Sequence, residues 1–144
     1  MRPEPVRSIF ARFANVLRVL YGAALPSSRV TTDAAAMANP AVAEILFICT
    51  GNYYRSRFAE ALFNFLAAER QSPWRAFSRG VDIDLAPPGL SPHTTRELQA
   101  RGIPFHHTTP ERHPLTAADL TRASRIIALK EAEHRAYLQR DFPA

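Results

Sequence analysis

The stretch Ile45-Leu46-Phe47-Ile48-Cys49-Thr50-Gly51-Asn52-Tyr53-Tyr54-Arg55-Ser56 decides the fold. Its first four residues are a short, continuous apolar run bounded by a Gly-Asn turn signal, the pattern of a strand buried on both faces. Directly after it, Phe58, Ala61, Leu62, Phe65 and Leu66 recur at helical spacing through about Arg70, and Pro73 ends the element. A buried strand that runs through a tight turn into a helix is the opening unit of a parallel α/β sheet.

Outward from this unit the alternation continues. Residues 74–77 predict a second strand before Gly80, and Ala86-Pro87-Pro88-Gly89 reads as loop. Ser91 caps a helix with Pro92 at its first position, and Gly102 closes it. Residues 103–106 predict a third, weak strand. Thr116 caps the next helix, with Asp119 complementing its amino-terminal dipole. Residues 125–129 predict a fourth strand and residues 131–140 a last helix. The expected fold is therefore α/β, an open four-stranded parallel sheet with helices on both faces and right-handed crossovers.

The turn after the first strand is where the chemistry collects. In an open α/β sheet, ligands bind at the carboxyl ends of the strands, and a turn entering a helix aims backbone N–H groups at one point. A cysteine there has its thiolate favoured by the helix amino terminus and by a nearby cation, which makes it a nucleophile at neutral pH. Arg55 can fold back over the turn and offer a planar fork to two phosphoryl oxygens. Gly51 permits close backbone approach, Asn52 tolerates a left-handed conformation, and Ser56 can donate a hydrogen bond to the thiolate. The expected catalytic residues are Cys49 and Arg55. The expected phosphate-binding set is Thr50, Gly51, Asn52, Tyr53, Tyr54, Arg55 and Ser56, with Tyr53 lining the mouth where an aryl group could stack or simply packing there.

Composition narrows the field. The chain has 144 residues, 47% of them apolar and 22% charged, which is enough for one core and excludes a multidomain assembly. Cys49 is its single cysteine, so no internal disulfide and no thiolate-rich metal centre can form. His106, His107 and His113 lie in a Thr/Pro-rich loop without a metal-ligand spacing, so no metal and no cofactor are expected. No aromatic and basic surface suggests nucleic acid. No segment approaches the roughly 20 consecutive apolar residues of a membrane span, and a cytoplasmic protein is expected.

The net charge of +5 is carried almost wholly by arginine, Lys130 being the single lysine. Five arginines against Glu4 and Asp33 give residues 1–40 a net of +3. Val6, Ile9, Phe10, Phe13, Val16, Leu17 and Leu20 form an amphipathic helical stripe there, followed by a linker of small residues. Residues 1–40 thus read as a helix and linker ahead of an α/β domain at 41–144. The helix could dock on its own domain, touch a membrane surface or serve as a targeting address, or Met37 could be the true start.

The Cys-x-Gly-Asn-x-x-Arg-Ser sequence between strand and helix resembles the low-molecular-weight protein tyrosine phosphatases. The likeness runs over about residues 43–143, through Ala59-Glu60, Ser78-Arg79-Gly80, the Pro92 helix ending at Gly102-Ile103, Pro114-Leu115-Thr116 and Ile126-Ile127-Ala128-Leu129. The resemblance implies a four-stranded parallel sheet, no metal, and two-step hydrolysis of phosphotyrosine or another aryl phosphate through a cysteinyl-phosphate, with inorganic phosphate as competitor. By it Cys49 is the nucleophile, Arg55 the phosphate clamp, Ser56 the partner of the thiolate and Asn52 the organiser of the loop.

Three positions depart from the family pattern. Tyr54 stands where a second cysteine often does, so a protective disulfide is not available. Arg57 stands where proline is usual; it is expected as an exposed first-turn arginine, or as one that steers substrate. The family's acid aspartate lies beyond the last helix, whereas this sequence offers only Asp141 at the end of that helix, with Asp82 and Asp84 as weaker candidates. The expectation is a domain lacking its carboxy-terminal acid loop and helix, and the alternatives are a phosphate-binding pseudophosphatase or incomplete fragment without competent proton transfer, and an arsenate reductase on the same scaffold that uses an external thiol. If a carboxy-terminal segment is missing, apolar surface would be exposed, which the amino-terminal helix could cover.

Overall fold

A computed structural model describes residues 42–143, so the expectations for the amino-terminal helix and linker lie outside the described residues. The chain runs β1 (Glu44–Cys49), α1 (Arg55–Glu69), β2 (Arg75–Gly80), α2 (Pro92–Ala100), α3 (Ala117–Arg122), β3 (Arg125–Ala128) and α4 (Glu131–Asp141), with single 3-10 turns at Ile83–Leu85 and Phe105–His107. The strands form one parallel sheet in the order β2-β1-β3. Among the described residues the sheet has three strands rather than the expected four.

The missing strand is residues 103–106, and its backbone explains why. Gly102 takes a left-handed conformation (φ 64°) at the end of α2, and the Ile103 N–H turns back to the Leu98 carbonyl at 2.9 Å. Pro104 then has no N–H to give, so two successive ladder donors are lost and the chain enters a 3-10 turn. Ile103 is buried, which is why its segment carries an apolar signal. The edge of β2 is met instead by an isolated parallel bridge from Gly80 to Pro114.

β1 is central, and its alternation serves both faces. Phe47 turns to α1, where its ring centroid lies 6.2 Å from that of Phe63, and Phe58, Ala59, Ala61 and Ala67 are buried on the same helix. Leu46 and Ile48 turn to the other face and join Phe77 and Leu115, with Leu120 of α3 and Leu138 and Phe142 at α4 packed against them. A strand covered on both sides reads as a continuous apolar run, as the sequence does. The parallel register pairs Cys49 with Gly80 and Ile48 with Ala128, so all three strands end at one rim.

The caps follow their expected chemistry. Ser91 accepts from the Thr94 N–H at α2, and Thr116 with Asp119 forms a reciprocal capping box at α3. Asp119 also pairs with Arg79 of β2 at 3.0 Å, which ties α3 to the sheet. No helix of the described residues is long and apolar enough to cross a membrane.

Leu46→Ala is expected to cost about 2–5 kcal/mol, as for other fully buried leucines, and to loosen the face of the sheet that packs on α3 and α4. Chemical denaturation of the purified variant checks this, and a loss below 1 kcal/mol would mean that the β1 packing is not as described.

Candidate active site

Residues 50–54 bridge β1 and α1 as a loop several of whose carbonyls are anchored by neighbouring backbone N–H groups. The Cys49 carbonyl accepts from the Val81 N–H at 3.1 Å and that of Thr50 from the Asp82 N–H at 2.9 Å. The Tyr53 carbonyl accepts from the Ser91 N–H at 3.1 Å and that of Tyr54 from the Phe58 N–H at 3.0 Å. In a trans peptide the C=O and the following N–H point in opposite directions, so the amides of Thr50, Gly51, Tyr54 and Arg55 face away from those anchors, toward the hollow of the loop. That is a nest suited to an oxyanion at a helix amino terminus.

Two glycines set the closeness. A side chain at Gly80 would meet the Thr50 carbonyl oxygen at 2.7 Å and the Asn52 nitrogen at 2.8 Å, and one at Gly51 would meet the Ala86 Cβ at 2.6 Å. The loop therefore rests directly on the end of β2 and on the segment after it.

Asn52 sits in the left-handed region, φ 46°, with its side chain fully buried. Its Oδ1 accepts from the His113 N–H at 2.8 Å, which fixes the amide orientation, and its Nδ2 donates to Ser56 Oγ at 3.0 Å and Ser78 Oγ at 2.9 Å. Cys49 Sγ lies 2.9 Å from Ser56 Oγ. A Cys49 thiolate has no hydrogen to give, so with the cysteine ionised it is the Ser56 hydroxyl that donates across this contact. The chain continues from Ser78 Oγ to the buried Glu60 Oε2 at 2.7 Å.

On the open side, Arg55 pairs through Nη2 with Glu133 of α4 at 2.8 Å, and its contact with Thr50 Oγ1 is longer, 3.5 Å. Burial would push the Glu133 carboxyl up, but the hydrogen bonds and charges of Lys130 and Arg55 outweigh it and hold it at about 2. His134 is buried beneath: its Nδ1 accepts from the Lys130 N–H, so Nε2 carries the proton and faces Thr50 Oγ1 at 3.4 Å. Burial, reinforced by the Arg55 charge, lowers the His134 pKa to about 4.

The structure thus brings Cys49, Thr50, Asn52, Arg55 and Ser56 together. Tyr53 is half-buried in the loop, whereas the Tyr54 ring turns to His93 on α2 at 5.9 Å between centroids. Arg57 differs from expectation: it is fully buried rather than exposed, and so cannot meet an incoming anion. Its Nε donates to Thr108 and its Nη1 to the Glu111 carbonyl. Asp141 is exposed at the end of α4 in a bidentate pair with Arg140. The Asp82 N–H binds the loop, and Asp84 is exposed. The His106 and His107 rings lie 4.2 Å apart and tilted, His113 serves Asn52 through its backbone, and the described residues hold no group of three or more metal-binding side chains. Glu133, His134 and Thr108 were not legible as site residues; the only signal for Glu60 and Ser78 was their place in the family pattern.

Residues 44–142 match the model of the low molecular weight phosphotyrosine protein phosphatases. The chain belongs to that family. It is 31% identical over 100 residues to the protein-arginine-phosphatase of Bacillus subtilis, covering 69% of this chain and 63% of that one. It is 31% identical over 83 residues to arsenate reductase 1 of Staphylococcus epidermidis, covering 58% and 55%. The low molecular weight protein tyrosine phosphatase from T. tengcongensis superposes with a TM-score of 0.60 at 30% identity, over 71% of this chain and 67% of that one. The chain thus spans less than two thirds of either curated relative.

His134 gives the site a pH signature. Its folded pKa lies below its ordinary 6.5, so the unfolded chain takes up the proton first as pH falls. Stability at pH 7 is expected to be lost progressively between about 6.5 and about 4, and His134→Gln should flatten that limb. Denaturant midpoints over this range check it; an unchanged slope in the variant would contradict the assignment.

Proposed function

We propose that this family member is a cysteine-dependent phosphatase that hydrolyses phosphotyrosine or other aryl phosphate monoesters. The observation that carries the reading is the placement of Cys49 Sγ at the base of an amide-lined loop, hydrogen-bonded to Ser56 at 2.9 Å, with the Arg55 guanidinium at the rim.

In the first step the Cys49 thiolate attacks phosphorus in line, the P–O ester bond breaks, and the aryl oxygen departs with the electron pair. Ser56 and the loop dipoles hold the sulfur before attack, while Arg55 and the loop amides take the charge that spreads over the equatorial oxygens. In the second step water attacks the cysteinyl-phosphate, releasing inorganic phosphate and regenerating the thiolate. On binding substrate, before the first step, Arg55 must exchange its carboxylate partner Glu133 for phosphate oxygens, one anion for another, so the cation is never left without a counter-charge.

The candidate acids are poor proton donors, which favours aryl esters. Asp141 is engaged by Arg140, and Glu133, held at about 2, is ionised at neutral pH and is a poor acid. A phenolate leaves with less help than an alkoxide, and Leu85, 66% exposed in the segment against which Gly51 rests, offers apolar surface beside the loop. Arsenate reduction is the weaker reading, since the sequence has no second cysteine to carry the oxidation away.

Purified protein is expected to hydrolyse para-nitrophenyl phosphate, with phosphate as competitive inhibitor. Cys49→Ser should abolish turnover, and Arg55→Met should lower kcat/KM by roughly 10²–10³-fold. No hydrolysis together with a phosphate-induced rise in melting temperature would instead establish a binding protein without turnover.

A further inference from the structure

Arg57 and Glu60 form a buried pair behind the loop, on the side away from substrate. Arg57 is fully buried and Glu60 nearly so, on the first turns of α1. Their charges are 3.8 Å apart at Nε and Oε2. Thr108 Oγ1 lies between them: it accepts from Arg57 Nε at 2.8 Å and therefore donates its own hydrogen to Glu60 Oε2, also at 2.8 Å. The second hydroxyl on the same oxygen is Ser78, which has accepted from Asn52 and so must donate onward to Glu60. Both donors are thereby fixed, and Glu60 Oε2 is the common acceptor of a carboxylate.

The unbroken chain from Cys49 through Ser56, Asn52 and Ser78 thus ends on a buried negative charge. Alone, that charge would oppose a second anion at Cys49. Burial leaves the Glu60 carboxyl raised on balance, and the Ser78 and Thr108 hydrogen bonds and the Arg57 and Arg79 charges draw it only part of the way back. Burial disfavours the Arg57 cation, and the neighbouring Glu60 and Cys49 charges work against that loss. A cation at this place, where the family pattern usually has proline, answers both anions at once.

We propose that Arg57 is a positioning residue for the nucleophile: its buried charge offsets Glu60, so that the hydrogen-bonded chain can be anchored on a carboxylate without disfavouring the Cys49 thiolate. Arg57 touches no substrate and acts through Thr108 and Glu60 from the closed side of the loop. The other charged groups around the pair are Arg79 on β2 and Glu111 before α3, with Arg55, Glu133 and His134 across the loop. The inference rests on Cys49 being the nucleophile proposed above, but its test needs no turnover.

The test measures the rate of Cys49 alkylation by iodoacetamide against pH, read by intact mass, in the full chain. Arg57→Met should raise the midpoint of that profile by roughly one pH unit, and Arg57→Lys should restore most of it. Glu60→Gln keeps an acceptor oxygen for Ser78 but removes the opposing charge, so it should lower the midpoint by about half a unit. Opposite signs are the signature of charge compensation, because a merely structural role would move both variants the same way or neither. If Arg57→Met does not fold by circular dichroism, Glu60→Gln and Arg57→Lys decide: a raised or unmoved midpoint in Glu60→Gln overturns the proposal. A wild-type protein that alkylates normally but hydrolyses nothing would sink the phosphatase reading and leave this one standing.

Discussion

The side-chain amide of Asn52 is the interaction on which the site depends. It is fully buried, it occupies a left-handed backbone position that few residues tolerate, and each of its hydrogen-bonding groups is committed. Its oxygen takes the His113 N–H from the segment beside β2, and its nitrogen serves Ser56 on α1 and Ser78 on β2. One amide therefore locks three chain segments around the cysteine. Aspartate in its place would lack both donors and leave two serine oxygens without them in a dry interior, where an unmade hydrogen bond costs about 1–3 kcal/mol.

Around that amide the loop faces two environments. Behind it lies a dry network that ends on Glu60 and Arg57, where charges are strong because water does not screen them. In front lies a wetter cluster, Arg55 with Glu133 and Lys130, in which carboxylate and cations hold one another near the rim. The buried side holds geometry, while the open side can exchange partners at modest cost, since a half-exposed ion pair is worth little. That division suits a loop that must keep its nucleophile fixed while its arginine accepts and releases an anion.

Much of this arrangement was legible in the order of residues, because it is local. β1, the turn and α1 are contiguous; the caps at Ser91 and Thr116 lie within three residues of their targets; and the left-handed turn residue is named by its own chemistry. What was not legible is long-range. Glu133 reaches Thr50 across 83 positions and Thr108 reaches Glu60 across 48, and no periodicity or spacing encodes such meetings. Residues 103–106 misled for a different reason: burial of Ile103 imitates a strand, while Gly102 and Pro104 remove the backbone freedom a strand needs. Arg57 misled because an arginine in a first helical turn ordinarily faces water, and the partners that allow its burial come from a distant loop.

The contact between Gly80 and the loop reaches beyond sterics. The register that pairs Cys49 with Gly80 places the one residue without a side chain under the Thr50 carbonyl and the Asn52 nitrogen. A slip of one position would bring Arg79 there instead and close the hollow. The pocket and the β1–β2 pairing are thus a single specification, and neither can be lost alone. An anion seated in the hollow consequently clamps the sheet as well as the turn: the backbone amides that pair β1 with β2, though remote from the ligand, would open to solvent exchange only when the whole domain does.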